Sequence, residues 1–137
     1  MISYTDEEPI DADQYLGVLR RSGLAERRPV AERDRIASMV LNADILMTAW
    51  DGDTLVGIAR SITDFAYCCY LADLAVDQAY QRQGVGEGLL RATAGLVGRD
   101  CQLILLAAPA AEGYYPAKGF EPHTSCWVSD AGALRAD

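Results

Sequence analysis

Apolar and polar positions recur along this chain with two periods, and the changes of period divide it into elements. Ile2-Ser3-Tyr4-Thr5 reads as a short first strand, followed by an acidic turn at Asp6-Glu7-Glu8-Pro9. From Asp11 the period becomes helical. Tyr15, Leu16, Val18 and Leu19 share one face, Asp11 and Gln14 stand at capping-box spacing, and Ser22-Gly23 is a stop signal. Pro29, a residue type favoured in a first helical turn, predicts a second helix that carries Ile36, Met39 and Val40 inward and closes around Asn42. Two apolar runs, residues 45–50 and 55–60, then flank Asp51-Gly52-Asp53-Thr54, which is hairpin chemistry. Residues 65–76 continue the antiparallel meander as a third long strand.

The period changes again within residues 71–90. Leu71-Ala72-Asp73-Leu74-Ala75-Val76 is the apolar end of the third strand, and Asp77-Gln78-Ala79-Tyr80 breaks it. Gln81-Arg82-Gln83-Gly84-Val85-Gly86 leads into a helix with Val85, Leu89, Leu90 and Ala92 at helical spacing, extending to about residue 97. After a turn at Gly98-Arg99-Asp100, residues 102–107 form a nearly unbroken apolar run, the pattern of a strand buried on both faces. Strand, helix and strand in that order imply a right-handed crossover and a parallel pair, residues 71–76 beside 103–107. A short helix is expected across residues 111–117 despite Gly113 and Pro116. A last strand region should run from Phe120 through Ser125-Cys126-Trp127-Val128, with a frayed tail over residues 130–137. The fold class is α/β with a mixed sheet, an antiparallel meander followed by a β-α-β crossover, in one domain spanning residues 1–137.

Composition narrows the functional classes. The chain has 137 residues, half of them hydrophobic, which suffices for one hydrophobic core and is too short for two. No apolar run reaches the length of a membrane span, and the N-terminus lacks the basic-then-apolar order of a signal peptide, so a cytoplasmic location is the default expectation. The formal net charge of −8 argues against nucleic acid as a partner and suits a cationic small molecule such as an amine. Cys68, Cys69, Cys101 and Cys126 include no Cys-x-x-Cys pair and accompany a single histidine, His123, so no metal site is expected; the thiols are read as buried small apolar groups. The small size and the apolar final strands leave room for a homodimer.

The chemistry concentrates where strand becomes helix. A polar, glycine-bearing loop at a helix N-terminus gathers backbone N–H groups in a positive field, an arrangement suited to phosphate oxygens. It is not a P-loop, because Gly86 is followed by Glu87-Gly88 and not Lys-Ser/Thr, and the spacing Gly84-x-Gly86-x-Gly88 is not the dinucleotide fingerprint. Gln81-Arg82-Gln83-Gly84-Val85-Gly86 instead resembles the Gln/Arg-x-x-Gly-x-Gly/Ala pyrophosphate loop of the GCN5-related N-acetyltransferase (GNAT) family. Gly113-Tyr114-Tyr115-Pro116-Ala117-Lys118-Gly119-Phe120 resembles the family's Phe-Tyr-x-x-x-Gly-Phe signature, with Tyr115 four residues before Gly119 and Pro116 departing from the usual helix former. The resemblance covers roughly residues 45–127.

The resemblance implies a parallel strand pair splayed to admit acetyl-CoA, helices on both sheet faces, and an acceptor site bordered by the two N-terminal helices. It places the pyrophosphate on the amides from Arg82 to Gly86, and the pantetheine arm against the main chain of Leu74 and Val76. The thioester carbonyl would then lie near the N–H groups of Leu74 and Ala75. Tyr115 would protonate the departing thiolate. Asp73 and His123 are candidate bases, with a water chain as a third route, and Asp73 reads equally as a structural carboxylate. Tyr67 and Tyr70 are candidate acceptor-pocket aromatics. The implied activity is acetyl transfer to a primary amine; a CoA-binding sensor without turnover would share the loop but need neither Tyr115 nor a base. Arg27-Arg28 and Glu32-Arg33-Asp34-Arg35 read as solvated helix ends.

Overall fold

Five strands form one mixed sheet in the order β1-β2-β3-β4-β5: β1 Ile2–Thr5, β2 Ile45–Asp51, β3 Thr54–Thr63, β4 Cys68–Val76 and β5 Gln102–Ile104. The first four pair antiparallel and β4 pairs parallel with β5, the crossover expected from the element order. The computed structural model describes residues 1–136, in two units, Met1–Leu106 and the segment from Ala107 onward.

Helix α1 (Ala12–Ser22) forms as its sequence dictates. Asp11 accepts from the Gln14 N–H at 2.8 Å while Gln14 Oε1 accepts from the Asp11 N–H at 2.9 Å, so two otherwise orphaned donors are satisfied reciprocally. Its buried face, Tyr15, Leu16, Val18 and Leu19, packs with Ile36, Ile58 and Ala75. Helix α2 (Arg33–Leu41) starts later than Pro29 predicts. A 3-10 turn over Leu24–Arg27 intervenes, and Arg28 is extended because its side chain is tied to β4 (below). A tertiary tether overrides the local start signal.

Helix α3 (Val85–Ala94) covers the opposite sheet face and stops three residues short of the expected end. Two glycines let it approach. A Cβ on Gly57 of β3 would lie 3.0 Å from Leu89 Cδ1, and a Cβ on Gly88 would fall inside the Tyr4 phenol of β1.

Strand β5 departs from expectation. It pairs over only three residues, Cys68↔Gln102, Cys69↔Leu103 and Tyr70↔Ile104, nearer the start of β4 than residues 71–76. It is not buried on both faces; Gln102 and Ile104 are exposed and Leu103 is half-buried. An apolar run signals burial only where both neighbours exist, and β5 is the sheet edge. Its pairing with β4 ends at Ile104, while β4 continues to Val76. Residues Leu71 to Val76 of β4 therefore run past the end of its parallel partner.

In the second unit, two 3-10 turns, Pro109–Ala111 and Pro116–Lys118, replace the expected helix across residues 111–117. Pro116 supplies no N–H to an α-helical ladder. Residues 120–130 contain no strand, and Trp127 and Val128 are exposed, so the expected last strand is absent among the described residues. Ala131–Leu134 forms a single helical turn, α4, inside the tail expected to fray; Asp137 lies outside the described residues. The thiols also differ from expectation: only Cys69 is buried, Cys68 and Cys101 are half-buried, and Cys126 is exposed.

Candidate functional site

The end of β4, the loop after it and the start of α3 are fixed from three sides. The Asp77 N–H donates to the Val56 carbonyl at 2.8 Å, and its side chain accepts from the Ala79 N–H at 2.9 Å and from Arg21 Nε at 2.8 Å. Tyr80 donates its hydroxyl to Asp51 in the hairpin at 2.6 Å, a bond that holds the phenol above its usual pKa. The loop therefore leaves the sheet on a rigid footing.

Beyond Tyr80 the backbone becomes unusual. Arg82 has φ +66° and Gly84 φ +83°, left-handed conformations two residues apart. Glycine adopts this region freely, whereas a residue with a Cβ does so at a cost on the order of 1 kcal/mol. Among the described residues, the backbone N–H groups of Arg82, Gln83, Gly84, Val85 and Gly86 make no hydrogen bond of ordinary geometry to a protein acceptor. They stand at the N-terminus of a ten-residue helix, where the peptide dipoles sum to a partial positive charge. Gln81 Nε2 donates to the Val76 carbonyl at 3.0 Å, and Gln83 Nε2 to the Ala79 carbonyl at 3.3 Å. The Val76 carbonyl at the end of β4 thus already has one partner.

A second cluster lies on the sheet face beneath α1. An extra residue, Ala72, interrupts the β3–β4 register, since Arg60 faces Asp73 while Ser61 faces Leu71. The Asp73 side chain is fully buried and saturated. It accepts from the Tyr15 hydroxyl, from Arg60 Nε at 2.6 Å and from Arg28 Nε at 2.5 Å. Arg28 Nη2 also donates to the carbonyl of the bulged Ala72 at 2.8 Å, and its Nη1 to the Arg27 carbonyl at 2.7 Å. Burial alone would raise the Asp73 pKa, but the bonds from Arg60, Tyr15 and Arg28 outweigh it and hold the carboxyl below its ordinary value. Burial, then the Asp73 charge, drives the Tyr15 phenol far above its own.

Sequence reasoning placed Asp73 and the loop but missed Tyr15, Arg28 and Arg60 as its partners. Two signals were there: a phenol on an otherwise apolar helix face needs a buried hydrogen-bond partner, and Arg60 ends an apolar strand run. Arg28, read as solvated, has a side chain only 21% exposed.

In the second unit, the Tyr115 ring meets Phe120 edge-on, centroids 5.5 Å apart, and Tyr114 at 5.2 Å. The Phe120 N–H donates to the Tyr115 carbonyl at 3.2 Å, closing the turn at Gly119. Burial, then the neighbouring Tyr114, raises the Tyr115 pKa, so the phenol keeps its proton at neutral pH. His123 Nδ1 accepts from the Ser125 N–H at 3.2 Å. Tyr67 and Tyr70 are exposed. Among the described residues no group of three or more His, Cys, Asp or Glu side chains could hold a metal ion.

This architecture is shared with solved acetyltransferase structures. A GNAT-family acetyltransferase from Streptococcus pneumoniae superposes with TM-score 0.74 at 22% identity, covering 94% of this chain and 98% of its own. An acetyltransferase from Trypanosoma brucei gives 0.69 at 22% identity, with 95% and 99% covered. The PaiA N-acetyltransferase from Thermoplasma acidophilum, solved in complex with coenzyme A, gives 0.70 at 15% identity, with 92% and 93% covered. At these identities the likeness defines the fold. The family follows from sequence: the acetyltransferase (GNAT) domain model matches residues 42–122, and the chain belongs to that family. No curated protein matches the sequence significantly.

Proposed function

We propose that the chain is an acetyl-CoA-dependent N-acetyltransferase that moves an acetyl group directly to a primary amine. The observation that carries this reading is the run of N–H groups from Arg82 to Gly86 at the start of α3, which make no hydrogen bond of ordinary geometry to a protein acceptor, following a strand β4 that runs past its pairing with β5. A diphosphate offers oxygens of the charge and number those donors accept. Gln81, Arg82, Gln83, Gly84, Val85 and Gly86 would hold it. The main chain of Leu74, Ala75 and Val76 would take the pantetheine arm as an added strand, with Gln81 releasing the Val76 carbonyl or sharing it. Acetyl-CoA supplies the activated acyl group as a thioester.

The amine nitrogen forms the new C–N bond as the C–S bond breaks. An N–H near Leu74 or Ala75 would donate to the developing oxyanion, and Tyr115, on the strength of its place in the Tyr-x-x-x-Gly-Phe motif, is the candidate donor of the proton that the departing thiolate needs. The ammonium proton leaves through water. Asp73 serves as an anchor here and not as the base: two guanidiniums stabilise its charged form, which makes it a weak proton acceptor.

Two measurements test this. Coenzyme A should raise the melting temperature, since a ligand held only by the folded state stabilises it. Tyr115→Phe should lower kcat for acetyl-CoA consumption with an amine by roughly a hundredfold while leaving that shift intact. A shift without turnover on any amine would assign the chain to CoA sensing instead.

A further inference from the structure

Resting on the acetyltransferase reading, we propose that the acceptor is an amine that also bears a carboxylate and an apolar side chain, and that Arg60 binds the carboxylate. The argument begins with charge. The side-chain cluster beneath α1 holds two guanidiniums, Arg28 and Arg60, against one carboxylate, Asp73, and therefore carries one surplus positive charge in a chain of net charge −8. The side chains are 21%, 12% and 0% exposed, respectively, so the surplus is only weakly screened by solvent.

The two arginines spend their donors differently. Arg28 uses Nε, Nη1 and Nη2 on Asp73, the Arg27 carbonyl and the Ala72 carbonyl, and all its nitrogens serve the fold. Arg60 uses only Nε, bonded to Asp73 at 2.6 Å and to the Tyr15 hydroxyl at 3.3 Å. Among the described residues its Nη1 and Nη2 donate to no protein group, and neither is a fully buried orphan, so both reach solvent. A guanidinium fixed through Nε presents the Nη1–Nη2 edge, whose two N–H groups match a carboxylate bidentately. Asp73 fixes the direction of that edge, and the entropy of ordering a long side chain is already spent in the free protein.

What surrounds the edge sets the rest of the ligand. Ile62 lies two residues along β3 from Arg60, on the same sheet face. The register places Ile62 opposite Tyr70 and Tyr70 opposite Ile104, a row of three large apolar side chains across β3, β4 and β5. They are 43%, 39% and 45% exposed. A fixed anion-binding fork beside an apolar row suits an amino acid with a hydrophobic side chain better than a polycation, which the net charge alone would favour.

The test compares acceptors that share a side chain and differ at the carboxyl group, L-leucine against L-leucinamide and L-phenylalanine against L-phenylalaninamide, by acetyl-CoA consumption, with each kcat/KM expressed per unprotonated amine because the amide's amine is the weaker base. Wild type should prefer each acid over its amide by about tenfold or more in kcat/KM, the range of a charge-assisted hydrogen bond. Arg60→Gln should remove the preference, mainly through KM, and Arg60→Lys, which preserves a charge for Asp73, should reduce it even if the glutamine variant does not fold. An acid no faster than its amide in wild type overturns the proposal, as does a preference that survives in Arg60→Lys and Arg60→Gln alike. The coenzyme A melting shift separates the two levels: if it is present, such a result removes only the acceptor assignment, whereas its absence together with no turnover removes the acetyltransferase reading beneath it.

Discussion

The Asp73 pocket and the Arg82–Gly86 loop treat their hydrogen-bonding groups in opposite ways. In the Asp73 cluster both carboxylate oxygens are bonded, and two of its three partners, Tyr15 and Arg28, lie 58 and 45 positions away in sequence. In the loop five consecutive N–H groups make no hydrogen bond of ordinary geometry to a protein acceptor. The difference follows from solvent access. A charge inside the fold must be paired, because an unpaired one costs several kcal/mol, whereas donors at the surface, as on the exposed residues Arg82, Gln83 and Gly84, are satisfied by water and stay available to a ligand. Saturation marks what holds the fold, and unspent donors mark what it offers.

Removing the carboxylate tests that contrast most severely. Asp73→Ala leaves Arg60, Arg28 and the Tyr15 hydroxyl facing one another without their shared acceptor, and should cost about 3 kcal/mol in urea denaturation. A loss below about 1 kcal/mol would mean that water replaces the carboxylate and that the pocket is not sealed. Acid should produce the next largest effect. The Asp73 pKa is lowered on folding, so between its folded value and the unfolded value near 3.9 the unfolded chain binds more protons and stability rises with pH. The contribution is complete above that range and lost as pH falls through the folded pKa. Asp73→Asn should flatten that part of the stability curve, and an unchanged slope would place the acid sensitivity elsewhere.

Substitutions in the loop should invert the pattern. Gly84→Ala strains a φ of +83° and should cost about 1 kcal/mol of stability, yet nearly abolish the coenzyme A melting shift. A full shift in that variant would break the proposed role of the loop. Smallest of all, Arg82→Gly relieves a left-handed arginine and should stabilise the free protein by roughly 0.5 kcal/mol, the gain being partly cancelled by the more flexible unfolded chain. Clear destabilisation would show that the Arg82 side chain supports the loop.

Legibility divided in the same manner. The capping box at Asp11 and Gln14, the buried face of α1, the hairpin at Gly52 and the strand–loop–helix at residues 71–90 were all readable, because each depends on residues within a few positions of one another. Gly88 counted against a dinucleotide motif in the sequence; in the fold it makes room for Tyr4, 84 positions away. Arg28 looked like a solvated helix end and proved to be a tether, and its pull is why α2 begins at Arg33 and not near Pro29. The edge strand β5 misled because apolar composition reports what a segment could bury, not which neighbours it receives.

Sequence by itself therefore determined the elements whose signals are local, the order that forces a parallel crossover, and the glycine-bearing turn at the start of α3, since backbone sterics and side-chain periodicity act over a few residues. Tertiary structure alone decided that Asp73 is shared by Arg28, Arg60 and Tyr15, that Arg60 keeps one edge in solvent, and that β4 outruns its parallel partner. Those outcomes depend on which distant groups arrive at the same buried spot, where low dielectric makes every unpaired charge costly.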